Sequence, residues 1–169
     1  MHIPTPLASF VLTTILILSA PMGFAEEPGV YITDHGHCAP EGIALGGYDP
    51  VSYFEDGPIP GNPQITLAYQ ELTYQFSNEE NKARFESEPE NFLPKYRGWC
   101  SATLAMGRLA CPDFTNYKIE NGQLLLFERI GFSNGLDMWN ADPIANSKNA
   151  NNHFQRLLQQ AKDHLKRSE

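Results

Sequence analysis

Basic residues are scarce in this chain. Its 169 residues carry 12 Lys plus Arg against 20 Asp plus Glu, a formal charge of −8 at neutral pH. So acidic a chain is repelled by nucleic acid and by anionic lipid, which excludes non-specific binding to either. Long apolar runs are missing too. The best stretch, Leu7 to Ala20, is shorter than the roughly 20 residues a membrane-spanning helix needs. No Cys-x-x-Cys or His-x-x-x-His spacing occurs, so a two-pair structural zinc site is not encoded. Nor is there a phosphate-binding glycine loop, an ordered Ser, His and Asp set or a readable pair of catalytic carboxylates. Hydrolase and kinase chemistry are therefore without support, and no enzyme class is assigned.

The Leu7 to Ala20 run is followed by Pro21 and by Gly23-Phe24-Ala25, then by the acidic Glu26-Glu27-Pro28-Gly29. With no basic stop-transfer flank, this pattern predicts a secretory signal peptide over residues 1–25, cleaved after Ala25, and a periplasmic or secreted product with no membrane contact thereafter. One departure is an n-region, Met1 to Pro6, without Lys or Arg. What remains is long enough for one domain with a core. In an oxidising compartment the three cysteines, Cys38, Cys100 and Cys111, allow at most one internal disulfide. Three pairings are open, and each leaves one thiol free or held by a metal.

Residues 26–42 read as an N-terminal arm containing His35-Gly36-His37-Cys38. Two imidazoles and a sulfur so close together form a weak alternative metal site for copper or zinc, set against a solvated arm. Glycines and Asp49-Pro50 then mark a turn, with Asp49 placed to cap it. Alternation of Ile65, Leu67 and Tyr69 with Tyr74 and Phe76 predicts a first hairpin. Ser77 followed by Glu80 is a capping-box pattern that predicts a helix starting at Ser77 and stopping before Pro89. Asn121-Gly122, between Tyr117-Lys118-Ile119-Glu120 and Gln123 to Phe127, predicts a second hairpin with a type I′ turn. Gly131 to Asn140 reads as irregular with a helical turn around Leu136 and Trp139. Asp142-Pro143 opens a last helix whose stripe is Phe154, Leu157, Leu158, Ala161 and Leu165, with His153 and His164 read as boundary or surface residues. The expected fold class is α+β: a small domain with two β-hairpins, short helices and a C-terminal amphipathic helix.

The stretch that concentrates chemistry is Lys95-Tyr96-Arg97-Gly98-Trp99-Cys100-Ser101. Cys100 opens a short apolar segment that reads as a helix ending at Gly107. A cysteine at a helix start meets unpaired backbone N–H groups, which favour a sulfur that ligates a soft metal or attacks a disulfide or peroxide. The same setting suits an inert core cysteine, and spacing does not choose between them.

Gly47-Tyr48-Asp49-Pro50-Val51-Ser52-Tyr53-Phe54, Tyr74-Gln75-Phe76-Ser77 with Glu80-Asn81 and Phe85, Pro94-Lys95-Tyr96-Arg97-Gly98-Trp99-Cys100, and Gly122-Gln123-Leu124-Leu125-Leu126 together resemble the YHS domain family in its exported branch. The resemblance covers about residues 43–127, and the domain is taken to run over 43–169 with the C-terminal helix. It implies a metal-binding or metal-sensing α+β module whose characteristic cysteine, a selenocysteine in some members, stands where this chain has Cys100. Copper-transporter relatives place a cysteine after the Asp-Pro-Val turn, where this chain has Ser52. The implied function is an exported accessory or sensing module that holds copper or zinc through Cys100, with Met106 or a histidine as a second ligand. A thiol-redox protein with Cys100 as nucleophile, or a purely structural or partner-binding domain, is the alternative. The implied partners are a metal ion or a thiol or disulfide. Because Cys38 and Cys111 are extra to the family pattern, the resemblance implies that they pair with each other; a Cys100–Cys111 bond is the competing arrangement.

Overall fold

The computed structural model describes residues 38–168, so the expected signal peptide and both His35 and His37 lie outside the described residues. The fold class is α+β, as the patterning predicts. The described residues open with two tight turns, Pro40–Gly42 and Ala44–Gly47, and a 3-10 turn at Ser52–Phe54. Strands β1 (Asn62–Tyr69) and β2 (Leu72–Phe76) form the first antiparallel hairpin, with Leu67 opposite Tyr74. Helix α1 (Glu79–Ser87) follows and ends before Pro89, then a 3-10 turn at Pro89–Asn91. The short helix α2 (Ser101–Ala105) leads to the second hairpin, β3 (Asp113–Glu120) and β4 (Gln123–Phe127), with Ile119 opposite Leu124. Asn121 and Gly122 both take positive φ, 54° and 73°, as the type I′ turn demands.

A third, two-residue hairpin, β5 (Arg129–Ile130) and β6 (Ser133–Asn134), and the seven-residue helix α3 (Gly135–Ala141) occupy the stretch that reads as mostly irregular. Asn134 organises it: its side-chain oxygen caps α3 at Leu136 N and accepts from Asn116 Nδ2. Helix α4 (Pro143–Ser168) is the expected C-terminal helix. Among the described residues no helix is long and apolar enough to cross a membrane.

Three apolar clusters make one core. Tyr74, Phe76, Phe85 and Phe92 fill the space between the first hairpin and α1. Leu45, Tyr53, Leu124 and Leu126 pack the N-terminal turns against the second hairpin. Trp99, Cys100, Leu104, Phe127 and Trp139 lie where α2, β4 and α3 meet, with Phe154 and Leu157 of α4 packed over them. At about 25 cal/mol per Å² of apolar surface, each large side chain buried there contributes roughly 1.5–3 kcal/mol.

One expectation needs correction. The N-cap of α1 is Asn78, whose Oδ1 accepts from Asn81 N at 2.8 Å, and not Ser77. Ser77 is engaged elsewhere: its N–H and hydroxyl donate to Asp49 Oδ2 at 2.8 and 2.6 Å. Asp49 is fully buried and also accepts from Asn81 Nδ2 at 2.7 Å and Val51 N at 2.9 Å. A buried carboxylate needs such a set of donors to offset its desolvation, and it draws Ser77 away from the helix end. Asp49 thus caps its own turn, as expected, and ties it to α1. Ser52 closes the same turn: its hydroxyl donates to Asp49 O at 2.7 Å and accepts from Ile59 N at 3.0 Å.

Candidate functional site

Cys100 is fully buried and is the free cysteine among the described residues. Its backbone runs along the open edge of β4, forming a parallel bridge to Leu126, while Lys95 N donates to Leu124 O at 2.9 Å just before it. Two residues past Leu126 the edge N–H of Glu128 meets the Cys100 Sγ, at 3.2 Å. Cys100 is also the N-cap of α2, and Thr103 N donates to the same sulfur at 3.5 Å. One sulfur therefore satisfies the end of a strand and the start of a helix. The sequence reading anticipates the helix-end donor; the Glu128 donor arises from tertiary packing and has no local signal.

The other two cysteines are joined to each other. Cys38 and Cys111 form a disulfide with Cα atoms 5.6 Å apart, the pairing expected in the sequence analysis. The bond clasps the free thiol's own backbone. Cys38 N donates to Arg97 O at 3.1 Å, three residues before Cys100, and Cys100 N donates to Ala110 O at 2.9 Å, one residue before Cys111. Gly98 is required where these segments cross: at φ +83° a Cβ there would lie 3.0 Å from Cys38 O.

This placement corrects two readings. Cys38 and Ala39 are buried and Cys38 is bonded into the domain, so these two residues are not solvated. A disulfide sulfur is also not a thiolate ligand, so Cys38 leaves the proposed His35, His37 and Cys38 set. Met106, the other expected ligand, is the C-cap of α2 and is 46% exposed. It stands at the far end of that helix from Cys100, about 9 Å away along the axis. One ion bound to both sulfurs would hold them within about 5 Å of each other, so the geometry does not join them. His153, on α4, instead comes to Met106's end of α2, its Nδ1 2.8 Å from Leu104 O.

A cavity of about 40 Å³ lies between the first hairpin and the disulfide segment, lined by Cys38, Leu45, Tyr74, Leu93, Arg97 and Gly98. It has room for a water or two and none for an organic substrate. Next to Cys100, the Ser101 hydroxyl is buried without a hydrogen-bond partner. Asp113 is held below the usual carboxylate range by the Thr115 hydroxyl, with help from Arg129. Burial raises Glu120, but Lys118 and the Trp139 indole outweigh it and the net shift is downward.

Fold and site together define a disulfide-tied α+β domain built round one buried free cysteine. No protein-family model, curated protein or solved structure matches the chain.

Proposed function

We propose that this chain is an exported YHS-like domain that binds a soft metal ion, Cu(I) foremost, through Cys100 as an accessory or sensing module. The observation that carries this reading is the state of that sulfur: it is the thiol left over when the other two cysteines bond, and it accepts two backbone N–H groups. A thiolate has three lone pairs. Thr103 N and Glu128 N donate to the sulfur, and this reading assigns its remaining donor capacity to a soft cation, the type of ion that thiolates select. N–H donors around a ligating sulfur are a common means of tuning such sites.

The donor set also bears on the metal. Among the described residues no three His, Cys, Asp or Glu side chains converge. A single sulfur suits low-coordinate Cu(I) better than Zn(II), which takes four ligands in structural sites. The bound ion would supply charge to the sulfur, while Thr103 and Glu128 hold the sulfur in place and Trp99, Phe127 and Trp139 exclude water. Thiol exchange has less support, because Cys111, the nearest candidate resolving cysteine in sequence, is already bonded to Cys38.

The test is titration of the full chain with Cu(I) under anaerobic conditions, read by the ultraviolet copper–thiolate charge-transfer band. One equivalent should saturate the band and protect Cys100 from alkylation. A band that survives in Cys100→Ser would end this reading.

A further inference from the structure

The C-terminal end of α2 holds a second arrangement, independent of Cys100. Leu104 O accepts from Gly107 N at 2.9 Å and lies 2.8 Å from His153 Nδ1. A carbonyl oxygen only accepts, so Nδ1 carries the ring proton and a neutral imidazole presents its lone pair at Nε2. The ring edge with that lone pair lies over Gly107: a Cβ built there would be 3.2 Å from Cε1 and 3.4 Å from Nε2. A side chain at Gly107 would crowd the ring, and φ of +79° favours glycine there. Met106 is the adjoining residue, its Cα about 3.8 Å from that of Gly107, and its side chain is 46% exposed. Three rotatable bonds let the thioether swing toward Nε2.

We propose that Met106 Sδ and His153 Nε2 form a surface site for a soft monovalent cation, Cu(I) or its analogue Ag(I). The backbone bond to Leu104 is the kind of outer contact that fixes the tautomer and direction of metal-binding histidines. A thioether is neutral and soft, so it selects Cu(I) over Zn(II), Mg(II) or Ca(II). With Met106 exposed and His153 half-buried, the pair exchanges its ion more readily than the sealed Cys100 sulfur.

The experiment is NMR of the full chain with labelled Met methyl groups and His rings, titrated with Ag(I) and then with Cu(I) under reductant, in the wild type and in Cys100→Ser. The Met106 methyl and His153 ring signals should move together and saturate at one ion per chain in Cys100→Ser, and at one ion beyond any taken by Cys100 in the wild type. Met106→Leu should weaken the His153 response at least tenfold with an unchanged melting temperature, since Met106 is not a core residue. A His153 signal that does not move, or that moves equally in Met106→Leu, would overturn the site. Cys100 is read separately by its charge-transfer band, so either proposal can fail without the other.

Discussion

Asp49 shows what a single buried residue does here. Its two oxygens take four donors from the turn, from Ser77 and from α1, and hydrogen bonds to a buried charge contribute about 1.5–3 kcal/mol each before non-additivity. Asp49→Ala leaves those donors facing a void, so a loss of at least about 3 kcal/mol is expected in urea unfolding. A loss below about 1 kcal/mol would mean that water replaces the carboxylate. The buried tyrosines set the alkaline limit. Burial pushes Tyr96 up to about 12, and burial raises Tyr53 and Tyr74 further. Because the folded state favours the neutral phenols, their stabilisation is complete below the unfolded value near 10 and falls as pH rises toward 12. Circular dichroism and phenolate absorbance should therefore change together above pH 10; phenols that all ionise near 10 in the folded chain would contradict the burial argument.

The elements differ in how local their causes are. The second hairpin is almost wholly local: Asn121-Gly122 sets the turn, and alternation sets the faces. Gly122 has open space around its Cβ direction and φ of +73°, so Gly122→Ala isolates the backbone term. It should cost about 1 kcal/mol by thermal melting, and a neutral result would show that the hairpin tolerates a different turn. The first hairpin has the same turn geometry without the usual residues, since Gln70 and Glu71 take φ of 45° and 67°. Its alternation was legible and its turn was not, because strand pairing imposes the positive φ. Helix α1 was legible in position but not in its cap. The capping-box pattern is a local rule, and Asp49, 28 residues earlier, claims the Ser77 hydroxyl through tertiary contact. Helix α3 reads from the sequence only as one helical turn around Leu136 and Trp139, for a related reason: its full length depends on the Asn134 cap and on Trp139, which packs on Phe127.

At the scale of the molecule the disulfide is the main constraint beyond the core. It closes a loop of 73 residues, for which the chain-entropy estimate is about 4 kcal/mol. Replacing both Cys38 and Cys111 with Ala should lower stability by up to that amount. It should also speed alkylation of Cys100, because the bond clasps both segments that cover it; unchanged alkylation would show that α3 and α4 alone seal the sulfur. What the sequence determined by itself was whatever rests on neighbours in the chain: the α+β class, two hairpins, the end of α1 before Pro89, the last helix, and Cys100 at a helix start. Family resemblance added the partnership of Cys38 with Cys111. Only the tertiary structure decided that Glu128 shares the Cys100 sulfur with Thr103, that His153 reaches Leu104 O at the end of α2 away from Cys100, and that Asp49 takes Ser77 from its helix. Each of these joins groups far apart in sequence or at opposite ends of one helix, and periodicity does not encode which buried donor reaches which acceptor when the core closes.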